Sequence, residues 1–168
     1  MGAGILPVAL YKGTLFILLG QERYNCLWSD FGGGSKNGED QFRTAIREGT
    51  EELNGYLGDF NEIEYNLKKN LIISYQNDRY TSYLFKYPYS YCLPIYFNKN
   101  NRFLEKSLSQ NIIQGDNGLF EKTKIKWFSV NQLKKINTKN IIRPHYYEII
   151  KYICNNEELI IKKINDIN

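Results

Sequence analysis

The chain is 168 residues long, enough for one domain with a core of workable size. Aromatics make up 15% of it and Tyr alone contributes fourteen residues, which excludes an intrinsically disordered chain. The net charge of +4 is unevenly placed: residues 1–120 hold 12 Lys and Arg against 13 Asp and Glu, and residues 121–168 hold 10 against 5. A basic last third suits a polyanionic partner, or simply decorates a solvated surface.

In chain order, Ile5–Tyr11 and Thr14–Gly20 are apolar, β-branched runs separated by Lys12-Gly13, a hairpin signal. A polar segment, Gln21–Asp30, follows and carries Arg23, Tyr24 and Trp28; Trp28 and Phe31 read as core residues. Four glycines (Gly32, Gly33, Gly34 and Gly38) then supply a turn whose backbone can approach a ligand closely.

A helix is expected from about Asp40. At roughly 100° per residue, Phe42, Ala45, Ile46, Gly49 and Leu53 form its buried stripe. Glu48, Glu51 and Glu52 fall within an arc on the opposite side. Three carboxylates so close repel one another, because like charges at i,i+4 destabilise a helix. They form either a solvated acidic face or the cradle of a hard divalent cation, which takes oxygen ligands.

Leu57–Asn70 reads either as a helix capped by Asp59, with Ile63 and Leu67 inward, or as an irregular link. Leu71–Gln76 and Tyr80–Tyr87 form a second hairpin about Asn77-Asp78. A helix is expected within Asn98–Gln110, carrying Phe103, Leu104 and Leu108, before a loop at Gly115-Asp116-Asn117-Gly118. Lys122–Val130 is a strand with Ile125 and Trp127 on one face, and Asn131–Ile136 a short helix. Arg143–Ile153 closes the domain as a helix with Pro144 in its first turn, and the last ten residues continue helically or fray. Strands around one acid-bearing helix give an α/β layered domain with no repeat and no second unit.

Three cysteines (Cys26, Cys92 and Cys154) without a C-x-x-C, and the lack of a leader pattern, predict free thiols in a reducing, cytoplasmic compartment. The single histidine, His145, excludes a multi-His metal site, and no apolar run reaches the length of a membrane span. Leu6 stands where a myristoylation motif needs Ser or Thr.

Gly33–Gly55 follows a long pattern: Gly33, five residues, Glu39, seven residues, Arg47-Glu48, two residues, Glu51-Glu52. It resembles the Nudix box of the Nudix hydrolases, with two departures. Gly49 stands for a bulky aliphatic residue, and Asn54 stands for a glycine that here follows one residue later as Gly55. Gly49 implies either that the helix sits closer to the sheet or that its packing is looser; Asn54 can still end the helix.

The resemblance implies one Nudix domain over residues 1–168, an α/β/α sandwich around a mixed β-sheet. It implies hydrolysis of a nucleoside diphosphate linked to another group, with Mg²⁺ or Mn²⁺ as cofactor. By that resemblance Glu52 and Glu48 are the principal metal ligands, with Glu51 beside them and the Gly32 backbone carbonyl completing the site. Arg47 pairs with Glu39 or orients a metal-binding Glu, against the plainer reading of a surface salt bridge. Glu121 is the candidate loop base or fourth ligand, six residues before the family-like run Trp127–Leu133; Glu22 and Asp116 are weaker alternatives.

A nucleotide or an RNA cap is favoured as substrate. Diadenosine polyphosphates, diphosphoinositol polyphosphates and a non-catalytic, nucleotide-sensing role stay open. The expected partners are a phosphorylated small molecule or capped RNA, and, as for many family members, a second copy of the chain. The aromatics crowded between Tyr75 and Phe97 stack on a base or occupy half-buried strand positions.

Overall fold

The computed structural model describes residues 1–113, 120–136 and 138–167. β1 (Gly2–Tyr11) and β2 (Thr14–Glu22) form the first hairpin, with Val8 opposite Ile17 and Tyr11 opposite Thr14. Its two turn residues, Lys12 and Gly13, both have positive φ (49° and 74°), the backbone that a two-residue hairpin needs to match strand twist. The glycine-rich stretch is itself paired: β3 (Trp28–Ser29) lies on β2, and β4 (Phe31–Gly34) runs antiparallel to β1.

α1 (Gln41–Glu52) follows, capped by the Asp40 side chain, which accepts from the Arg43 N–H. α2 (Phe60–Asn70) resolves the ambiguous segment as a helix. Asp59 and Glu62 exchange side-chain-to-backbone hydrogen bonds at its start, and Ile63 and Leu67 are buried as the helical alternative required. β5 (Leu71–Gln76) and β6 (Tyr80–Lys86) are the second hairpin.

α3 (Cys92–Ser107) begins six residues earlier than the polar segment suggested, with Pro94 in its first turn, where a missing N–H costs nothing. Its inward residues are Phe97 and Asn101, while Phe103 is 66% exposed, so the stripe expected through Phe103 is misphased. α4 (Gln110–Ile113) precedes the expected Gly115–Gly118 loop, which lies outside the described residues. The chain ends with β7 (Lys122–Ser129), α5 (Val130–Lys135), α6 (Tyr147–Asn155) and α7 (Glu157–Asp166), Pro144–Tyr146 forming a short 3₁₀ turn ahead of α6.

The seven strands make one mixed sheet. Its order is β3-β2-β1-β6-β5, with β4 added on β1 and β7 on β2; the β1–β6 pair is parallel and every other pair antiparallel. β1 explains the layering. Ala3, Ile5 and Ala9 face one cluster with Ala45, Ile46, Leu67 and Phe97 of α1–α3. Leu6 and Val8 face the other, with Val130, Ile150, Ile153 and Ile160 of α5–α7. Period-2 alternation with both sets apolar buries both faces of the strand. The result is the expected helix–sheet–helix sandwich.

Candidate functional site

α1 lies across β1 and β4, and Gly49 fixes how closely. A Cβ there would fall 2.6 Å from Ile5 Cγ1 and nearer still to its Cδ1. The missing side chain therefore brings the helix down onto the sheet, the first of the two alternatives. α1 ends as Asn54 takes φ +50° and Gly55 φ +71°. Their N–H groups return to the carbonyls of Glu51 (3.0 Å) and Thr50 (3.2 Å), satisfying two otherwise orphaned acceptors.

The close approach splits the acidic arc. Glu52 is 2% exposed and Glu48 9%, both covered, whereas Glu51 stays partly open beside Lys36. Glu52 Oε2 accepts from the Gly32 N–H at 2.8 Å. Glu48 presses on Gly33, where a Cβ would lie 2.7 Å from its carboxyl carbon; a glycine is required for that approach. The strand–helix pairing thus brings Gly32, Gly33, Glu48 and Glu52 together.

Arg47 holds the outer rim. It grips Glu39 through Nε and Nη2 (2.7 and 2.9 Å), reaches Glu48 (2.8 Å) and Glu51 (3.1 Å) through Nη1, and donates to the Gly34 carbonyl (3.0 Å). It both pairs with Glu39 and orients the helix carboxylates. The Glu39 carboxyl is held down to about 2, chiefly by its hydrogen bonds from Arg47. Burial pushes Glu48 up, against the pull of Arg47. Burial pushes Glu52 further, with Lys122 opposing it and the charges of Glu22, Glu121 and Asp30 adding to it.

Glu121 acts electrostatically on both Glu48 and Glu52, so the structure brings it to the same site. Arg23 places it: the Arg23 N–H donates to the Glu121 carbonyl (2.9 Å) and its Nε to the Phe120 carbonyl (2.7 Å). Asp116, the other loop candidate, lies outside the described residues. Glu22, the strand alternative, is held by Lys122, Arg143 (2.8 Å) and Ser29 (2.8 Å).

Several site residues escaped the sequence reading. Lys122 stands in a Lys-rich stretch with Lys124 and Lys126, yet it is fully buried. A register shift at Gln21/Glu22, where Gln21 faces Lys124 and Glu22 faces Lys122, breaks the period-2 phase of β7. Lys122 therefore joins the face of Ile125 and Trp127. Its amine bonds Glu22 and Ser29 Oγ (3.0 Å) and lies 3.3 Å from Glu52 Oε1.

Asp30 was also missed. It is fully buried, and its carboxyl, pushed up to about 7 by burial, accepts from Tyr80 Oη and Ser82 Oγ at 2.9 Å each. Ser82 and Tyr146 share a further hydrogen bond of 3.1 Å. The only sequence signal for this network was Ser82 standing inside an apolar strand, since Asp30 and Tyr146 lie outside the strands. Tyr80 also walls an open cleft of about 630 Å³ lined by Asn77, Asp78, Arg79 and His145. Of the crowded aromatics, Phe85 and Phe97 are core, and Tyr91 and Tyr96 are exposed.

Among the described residues no group of three Asp, Glu, His or Cys side chains is drawn together as a ready metal cage; Arg47 and Lys122 meet the carboxylates instead. Their chemistry nonetheless fits a hard divalent ion. The donors are all oxygen, and carboxylates whose charged form is disfavoured chiefly by burial are stabilised by an added cation.

No protein-family model and no curated protein matches the sequence. Solved structures do match the fold. A C. elegans Ap4A hydrolase binary complex superposes with a TM-score of 0.57 at 17% identity, covering 96% of this chain and 99% of that one. A bifunctional NMN adenylyltransferase/ADP ribose pyrophosphatase from Francisella tularensis, complexed with AMP and a Mn ion, gives 0.57 at 19% identity; 94% of this chain spans 41% of that longer protein. A Nudix hydrolase from M. smegmatis gives 0.54 at 12% identity, covering 94% and 84%. The chain has the fold of the Nudix hydrolases.

Proposed function

We propose that the chain is a divalent-metal-dependent pyrophosphohydrolase of the Nudix type, acting on a nucleotide or on a nucleotide-capped RNA. One observation carries the reading: α1 and β4 assemble Glu48 and Glu52 against Gly32–Gly33, within the electrostatic reach of Glu121. Glu48 and Glu52 would hold Mg²⁺ or Mn²⁺, with Glu51 and the Gly32 carbonyl beside them. Such an ion neutralises a pyrophosphate and lowers the pKa of a bound water.

The protein's own groups complete the chemistry. Arg47 keeps the helix carboxylates in place, and Glu121 takes the proton of the attacking water. The water oxygen bonds to one phosphorus while the bridging oxygen leaves with the other phosphate. The cleft beside Tyr80 and His145 offers aromatic rings for a base and Arg79 for a phosphate. The substrates named for the similar structures, Ap4A and ADP ribose, are nucleotides and support that class. The basic last third keeps a capped RNA in it.

A second reading, nucleotide binding without turnover, draws on the Lys122 amine beside Glu52, where a catalytic site would hold a metal. A substrate panel with Mg²⁺ and Mn²⁺ separates the two: nucleoside triphosphates, ADP ribose, diadenosine polyphosphates, a diphosphoinositol phosphate and cap-labelled RNA. The expected result is metal-dependent product from one class, reduced at least a hundredfold in Glu52→Gln with the fold intact. Equal turnover in that variant sinks the assignment. Tight nucleotide binding with no product from any substrate favours the second reading.

A further inference from the structure

Lys122 is the one fully buried cationic side chain among the described residues. Burying an ammonium is costly unless carboxylates face it closely. Here Glu22 and Glu52 do. Asp30 adds to their field and Ser29 Oγ takes a further hydrogen bond. Room for the stem comes from Gly20, where a Cβ would lie 2.8 Å from Lys122 Cδ. The register shift in β2–β7 turns the side chain inward. A bulge, a glycine and two carboxylates thus converge on placing one positive charge beside Glu52.

That position matters because Glu52 has two oxygens to offer. Oε2 accepts from the Gly32 N–H and Oε1 faces the ammonium, so neither is free of a donor. A divalent ion approaching Glu52 meets a like charge already at the carboxylate.

We propose that Lys122 is a positioning residue that serves Glu52 as a resident counter-cation, competes with the divalent metal there, and so keeps the affinity for metal low until substrate binds. The inference rests on the metal-dependent reading above. Its consequence is an order of binding: the metal enters together with the negatively charged polyphosphate, whose oxygens supply the attraction that the ammonium has cancelled.

The test is Mn²⁺ binding alone, followed on the full chain by calorimetry and by the spin-resonance signal of free Mn²⁺. It compares wild type, Lys122→Met, and Lys122→Met combined with Glu22→Gln. The double variant removes one charge of each sign, and replacing a buried ion pair by neutral groups of similar volume is often tolerated; it is read if the single variant does not fold. Both variants are expected to bind Mn²⁺ at least tenfold more tightly than wild type. In a Glu52→Gln background, Lys122→Met should bring no tightening, whereas a mere loosening of the cluster would act with or without Glu52. Unchanged or weaker binding in the folded variants overturns the proposal and leaves the hydrolase reading standing. No Mn²⁺ binding in any form overturns both.

Discussion

At the scale of single residues, Arg47 illustrates how one side chain organises a site. Its five hydrogen bonds tie the end of β4, the loop residue Glu39 and two helix carboxylates into one rim. Because Arg47 holds Glu39 ionised down to about 2, the pair links stability to pH in a defined direction. An unfolded Glu ionises near its ordinary value of about 4.3. The contribution is therefore fully present above that pH and is lost as pH falls towards 2. The pair is partly exposed, so it is worth about 1 kcal/mol or less. Urea unfolding of wild type and Glu39→Gln should differ by that amount at pH 6 and converge near pH 2; a gap that persists in acid would show that the pairing is not electrostatic. This pair was one of the two roles that the family resemblance implied for Arg47. Lys122 carried no such signal, because its inward orientation depends on a register shift between two strands a hundred residues apart.

At the scale of elements, the seating of α1 decides the depth of the carboxylates. Gly49 was visible as a departure, but only the packed structure distinguished a closer helix from a looser one, since the answer lies in Ile5 on another element. Restoring a bulky aliphatic residue with Gly49→Val should overpack this contact and destabilise the fold by about 1–3 kcal/mol. Ile5→Ala in the same chain should recover part of that loss. Denaturant midpoints of the two single variants and the double variant measure the coupling; strictly additive effects would mean that α1 backs away from the sheet. Some helix ends were legible because capping is local: Asp59 at the start of α2 and Asn54 at the end of α1 lie next to the termini they serve, although the sequence left the Asp59 segment open to an irregular link. α3 read poorly. Its buried face includes Asn101, which donates to the Lys122 carbonyl at 2.8 Å, so hydrophobic periodicity alone placed the stripe on Phe103.

At the scale of the whole molecule, one mixed sheet buries both faces, and the site sits where α1 meets the β1–β4 edge rather than in a loop. A ligand held there binds only the folded chain, and so should stabilise all of it. At a Mg²⁺ or Mn²⁺ concentration a hundredfold above the dissociation constant the gain is about 2.7 kcal/mol. For a domain of this size that corresponds to a rise in melting temperature of about 5–10 °C. Scanning calorimetry should show the rise in wild type, its reversal by EDTA and its absence in Glu52→Gln; an equal rise in the variant would place the metal elsewhere.

The sequence by itself determined the acid-bearing helix and both hairpins, because each rests on period or turn chemistry within a short window; the sandwich layering was implied only by the family resemblance of the box. The sequence also placed every box position in a pattern long enough to suggest chemistry. Only the tertiary structure decided that Glu48 and Glu52 are buried while Glu51 is not, and that the charge of Glu121 acts on both. It alone gathered Asp30, Tyr80, Ser82 and Tyr146 into one buried network, and it alone turned Lys122 towards Glu52. The reason is physical. Burial and ion pairing depend on which distant strands become neighbours and in what register, and a one-residue shift in that register sends a charged side chain to the opposite face.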